Sequence, residues 1–126
     1  MVHAGRIAEG IAVLEAGIEQ PEARWVTPEL LRIKGELIVL QSAAAGAETA
    51  KDIFRQALDE ARRQGALSRE LRAATSLARL LHRQGRSADA IACLQPIYDR
   101  FTEGFETADL IASKQLLDEA CGAGCN

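Results

Sequence analysis

The chain has 126 residues, 48% hydrophobic, 26% charged and 4% aromatic, with a formal net charge of −3. That length fits one domain able to bury roughly two-thirds of its unfolded surface without a disulfide or metal staple, and the apolar fraction excludes disorder. The longest uncharged stretch, Leu37 to Ala47, falls short of the ~20 apolar residues of a membrane helix, and Arg6, Glu9 and Glu15 exclude a secretory leader. Twenty-three alanines, with leucine, arginine and glutamate next in number, predict an all-α fold of about six helices. The first helix, about 5–19, carries Ile7, Ile11, Leu14 and Ile18 on one stripe. Pro21 and Pro28 bracket a loop holding Trp25, and Pro28 suits the first turn of a second helix running to about Gln41. After a linker at Ser42–Gly46, a third helix covers about 47–64 and stops at Gly65. A fourth opens near Ser68 and ends at Gly85. Ser87 is a candidate cap for a fifth, about 88–101, and Thr107 for a sixth, about 108–120. Short connections make such helices antiparallel neighbours.

The odd-numbered helices align at a spacing of 40 residues. Gly10, Ala50 and Ala90 form a small-residue column, and Leu14, Phe54 and Leu94 a large apolar one. Gly17, Ala57 and Ile97 follow, and Val13, Ile53 and Cys93 give a fourth column. Small then large at i and i+4 lets a helix approach its neighbour closely while filling the next groove. Ahead of each of the last two large residues stands a small one on the preceding helix. Gly35 is 19 residues before Phe54, and Ala78 is 16 before Leu94, the difference falling in the Ser42–Gly46 linker.

This small residue followed by a small–large–small series resembles the tetratricopeptide pattern, with its helix A and helix B. The reading divides the single domain into a half repeat at 5–20, repeats at 28–64 and 68–101, and a closing helix at 107–120. The segments Arg32-Ile33-Lys34-Gly35-Glu36-Leu37, Ala61-Arg62-Arg63-Gln64-Gly65-Ala66, Glu70 to Leu80 and Tyr98-Asp99-Arg100-Phe101-Thr102-Glu103-Gly104-Phe105 are also similar to a larger class. They resemble the C-terminal repeat region of bacterial predicted signalling ATPases and adenylate/guanylate cyclase-type regulators. Neither cyclase nor nucleotide-binding motifs are present. The resemblance therefore implies a non-catalytic, regulatory, protein-binding module in the cytoplasm.

The strongest candidate site is an arginine stripe on the fourth helix. Arg72, Arg79, Arg83 and Arg86 lie within about 60° of one another at 100° per residue, opposite Leu71, Ala74, Ala78 and Leu81. Residues 62–86 hold seven arginines and one acid, a formal +6 that leaves −9 for the rest. The tetratricopeptide register implies that Arg72, Thr75, Arg79 and His82 face the groove, together with Glu29, Arg32, Glu36 and Val39 of the preceding unit. Arg32, Arg72, Thr75, Arg79, His82 and Arg83 are accordingly the candidate partner-binding residues. Guanidinium forks suit carboxylates, so the expected partner is a protein or acidic peptide. The plainer alternative is a solvated face neutralised by neighbouring acids. A small-molecule sensor holding an anionic ligand in the same groove is the competing function. Nucleic acid is not expected as a partner, because the remaining surface is acidic and lacks interleaved aromatics.

Other residues carry less. Cys121 and Cys125 flank Gly-Ala-Gly at the tail, but His3 and His82 show no ligand spacing, so neither a metal nor a cofactor is expected. Three cysteines in such a chain fit a reducing, cytoplasmic compartment. Cys93 falls in an apolar column and reads as core. No nucleophile–base pair occurs, so catalysis is not expected. Pro96 interrupts the fifth helix and is expected to swing Tyr98, Phe101 and Phe105 onto the closing helix. The first helix lacks a helix A on one side, so self-association through it is expected, giving a homodimer.

Overall fold

The computed structural model describes residues 4–18, 26–41 and 46–124. These form six α-helices and no strand: α1 Ala4–Ile18, α2 Thr27–Gln41, α3 Ala47–Gln64, α4 Leu67–Arg83, α5 Ser87–Tyr98 and α6 Ala108–Gly124. The all-α reading holds, and most boundaries lie within two residues of the expected ones. Trp25, Pro21 and linker residues 42–45 lie outside the described residues, as do His3 and Cys125.

Two helix ends share one closure. Gly65 adopts φ 68° after α3, letting its own N–H reach the Arg62 carbonyl at 3.1 Å and the Ala66 N–H reach the Ala61 carbonyl at 2.9 Å. Gly85, at φ 78°, repeats this after α4, with bonds to the His82 and Leu81 carbonyls. Both satisfy carbonyls left over at a helix end in a conformation that costs an L side chain roughly 1–2 kcal/mol. The resulting short connections turn α4 and α5 back antiparallel to their predecessors.

Four expected starts and stops differ. Ser68 does not open α4; the helix begins at Leu67 behind Ala66, without a side-chain cap. Ser87 does not cap α5 either. It is the first residue of that helix, and its hydroxyl is occupied by His82 Nδ1 at 2.9 Å. Helix α5 stops at Tyr98 rather than 101, closing through bonds from Asp99 to Gln95, Arg100 to Ile97 and Phe101 to Tyr98. Helix α6 begins as expected, the Thr107 carbonyl accepting the Ile111 N–H at 3.0 Å, but it continues through the glycine-rich tail to Gly124.

Each helix packs on the next in the chain, and the even-numbered helices also form a row, α2 on α4 and α4 on α6. The core lies between this row and α3 and α5. Ala50, Phe54, Ala57, Ala90, Leu94 and Ile97, the last two units of the columns read from sequence, are all buried. Phe54 fits because Gly35 has no side chain: a Cβ there would lie 2.5 Å from the Phe54 ring. Full burial of such side chains stabilises by about 1.5–3 kcal/mol each. The first member of the fourth column behaves differently. Val13 is 70% exposed, whereas Ile53 is buried and Cys93 packs against the core beside the Ala74 carbonyl. No helix precedes α1 among the described residues to cover that side.

Pro96 sits inside α5, and aromatic residues follow it. Tyr98 and Phe101 pack on the core, and the Tyr98 and Phe105 rings lie 5.9 Å apart at 52°. Phe105 itself stays half exposed. A buried carboxylate fastens three elements nearby. Glu70, 3% exposed in the first turn of α4, accepts from Arg62 of α3 at 3.1 Å and from Arg100 after α5 at 3.0 Å. No helix among the described residues is long and apolar enough to cross a membrane.

Candidate functional site

Helices α2, α4 and α6 present residues at i, i+3, i+7 and i+10 to one surface. On α4 these are Arg72, Thr75, Arg79 and His82. The same spacing places Asp109, Ala112, Leu116 and Glu119 on α6, each 37 residues later. The two sets face each other across two adjoining clefts. The first, of about 220 Å³, is lined by Arg72, Thr75, Ser76 and Arg79 of α4, Asp109 and Ala112 of α6, and Arg32 of α2. The second, of about 370 Å³, is lined by Arg79, His82 and Arg83 of α4 and by Ala112, Gln115, Leu116 and Glu119 of α6. Arg79 and Ala112 border both. All six candidate residues therefore gather on one continuous groove.

Their electrostatic situations divide sharply. Arg32 is ion-paired with Glu29 one turn earlier and reaches Ser76 Oγ at 3.4 Å. Arg72 donates from Nε to Asp109 Oδ2 at 2.8 Å and lies 3.8 Å from Glu29 Oε2. The Asp109 hydrogen bond raises the Arg72 pKa above its ordinary value, keeping the guanidinium charged. Glu29 Oε2 is buried and accepts no hydrogen bond, so only the nearby guanidinium charge offsets its desolvation. The reading of a face neutralised by local acids is correct for this end of the groove. It is correct for Arg86 as well, which pairs with Asp89 and does not line the clefts.

Thr75 lines the first cleft with its hydroxyl engaged inside the protein. Its hydroxyl lies 2.7 Å from the Leu71 carbonyl and 3.1 Å from Ser113 Oγ, while Ser113 lies 2.7 Å from the Asp109 carbonyl. Two hydroxyl protons serve these three contacts, which leaves none for a guest. His82 has Nδ1 occupied by Ser87. Arg79 and Arg83 are different in kind. Neither has a hydrogen-bond or ion-pair partner among the described residues, and Arg79 is only partly exposed.

Sequence reasoning missed the α6 wall, having treated that helix as closure only. The signal was present in the matching i, i+3, i+7, i+10 set shifted from α4. On that wall, Asp109 is the carboxylate that occupies Arg72. Elsewhere, Cys93 is held mostly away from solvent, and burial pushes its thiol pKa up, whereas Cys121 is exposed. No group of three or more His, Cys, Asp or Glu side chains among the described residues is placed to hold a metal ion. Comparisons with protein-family models, with curated proteins and with solved structures give no match.

Proposed function

We propose that this chain is a non-catalytic protein–protein interaction module of tetratricopeptide type, whose α2–α4–α6 groove takes an acidic segment of a partner protein. One observation carries the reading. The groove brings Arg32, Arg72, Arg79, His82 and Arg83 together, and its two unpaired guanidinium groups, Arg79 and Arg83, line the larger cleft. Arg79 is partly sheltered and Arg83 exposed, and a guanidinium without a carboxylate can receive one, because the paired state gains charge-assisted hydrogen bonds. The sequence resemblance supports a cytoplasmic setting at the terminal end of a bacterial signalling ATPase or cyclase-type regulator. The exposed Val13 on α1 supports self-association through that helix.

Affinity capture with wild type and an Arg79→Glu/Arg83→Glu variant tests the groove. Loss of specific partners in the variant is the expected result; identical partner sets refute the assignment. Light scattering across protein concentration tests self-association, which a constant monomer mass rules out.

A further inference from the structure

We propose that Arg79 and Arg83 form a receptor for two carboxylates carried on alternate residues of an extended peptide, an acidic–x–acidic segment lying between α4 and α6. The proposal rests on the interaction-module reading and narrows its ligand.

The protein itself shows how this groove holds a carboxylate. At its first cleft, Asp109 reaches across from α6 and meets Arg72 at 2.8 Å. Two turns further along α4 the arginine recurs at Arg79, where the α6 positions in matching register are the uncharged Ala112 and Leu116; Glu119, further along α6, lines the same cleft but pairs with neither Arg79 nor Arg83. Arg83 follows one turn later and is likewise unpaired. The groove thus supplies its own acid at one arginine and leaves the next two for an incoming chain.

Spacing selects the ligand. Residues four apart on a helix are separated by about 6 Å along its axis. Same-side residues two apart on an extended strand are separated by about 6.7 Å. Adjacent residues of a strand point to opposite sides, so neighbouring acids cannot engage both arginines from one backbone position. A pentapeptide is too short to hold a helix in water, so it presents its acids from an extended backbone. Glu119 lines the same cleft and repels a third acid. The segment recognised is therefore two acids with one spacer, not a long acidic run.

Calorimetric titration with end-blocked synthetic pentapeptides at low ionic strength tests this. One peptide carries glutamates at its second and fourth positions in a glycine–serine background; another of identical composition carries them adjacent. Binding of the alternating peptide about fivefold or more tighter than the adjacent one is expected, with a further loss of about tenfold in Arg79→Gln/Arg83→Gln. Arg86→Gln, whose partner Asp89 is internal and which lines neither cleft, is expected to change affinity less than about threefold. Circular dichroism confirms that each variant is folded, and the single variants stand in if the double one is not. Equal affinity for the two spacings overturns the proposal, as does an unaffected double variant or no binding of the alternating peptide. Binding of free glutarate or inorganic phosphate as tightly as the peptide overturns it in favour of a small anion. If the peptides fail while partner capture still depends on Arg79 and Arg83, the module reading survives without this ligand. If capture is also indifferent to these residues, both fall.

Discussion

Gly35→Ala tests the closest approach in the core. The added Cβ would sit 2.5, 2.8 and 3.0 Å from Cε1, Cδ1 and Cζ of Phe54. Phe54 is fully buried, so its ring cannot relieve the clash by turning out into solvent. Overpacking of a well-filled core costs about 1–3 kcal/mol, and a clash this deep against an immobile ring belongs to the upper half of that range. Replacing a mid-helix glycine with alanine returns about 1 kcal/mol of helix propensity. The net expectation is a loss of about 1–2 kcal/mol, or about 3–8 °C in Tm for a chain of this size. Urea unfolding followed by circular dichroism at 222 nm measures it. Two comparisons isolate the cause. Gly10→Ala meets only the flexible Leu37 Cδ1 at 3.2 Å, so it is expected to be neutral or stabilising by about 0.5 kcal/mol. Gly35→Ala combined with Phe54→Leu, which removes two of the three clashing atoms, is expected to be less damaging than the sum of the single changes. A Gly35→Ala protein as stable as wild type, or strict additivity with Phe54→Leu, would falsify the reasoning.

Three further outcomes are expected. Glu70→Ala should cost about 1.5–3 kcal/mol in urea unfolding, since it removes the acceptor for two arginines; Arg100→Ala, at a half-exposed end, should cost under about 1 kcal/mol. A Glu70→Ala loss below that of Arg100→Ala contradicts the buried-acceptor account. Gly65→Ala meets no atom within 4 Å, so its cost is conformational alone, about 1 kcal/mol. Gly65→Asn should lose less, and the order of melting temperatures for Gly, Asn and Ala checks it. Burial raises the Cys93 pKa, so the thiol stays protonated in the native state at a pH where the unfolded chain has ionised. Stability from this group is full below the ordinary thiol pKa and declines as pH rises above it. Iodoacetamide at pH 8 should modify Cys121 well before Cys93 in peptide mass analysis; equal rates refute the buried state of Cys93.

Much of the fold was legible because helix signals here are local. Alanine-rich periodic stretches, Gly65 and Gly85 fixed α3 and α4 almost to the residue, and the small–large columns identified Phe54 and Leu94 as core. Capping serines misled because a hydroxyl can be satisfied from elsewhere, as Ser87 is by His82. Helical period put Arg72, Arg79 and Arg83 on one face of α4, and the tetratricopeptide resemblance implied that Arg32 joins Arg72 and Arg79 on the groove. Their occupancy followed from neither, because Asp109 is 37 residues from Arg72, and no local pattern says which acid a guanidinium meets. The same limit hid Glu70, whose partners Arg62 and Arg100 lie on either side of it in sequence and join only through the packing of three elements.

Helix α4 touches α2, α3, α5 and α6, and one of its faces is core while another carries the groove. The middle of α4 cannot open without dismantling contacts to most of the chain. Its amides are therefore set to exchange with solvent only through global unfolding, and those of α1, with a single neighbour of substance, through local opening. A ligand on Arg79 and Arg83 would be linked to that same global event. Its binding free energy would add to the stability of the whole array, RT ln(1 + [L]/Kd), rather than quieting a loop. Hydrogen exchange at α4 would then report occupancy of the groove across the molecule, far from the residues that touch the ligand.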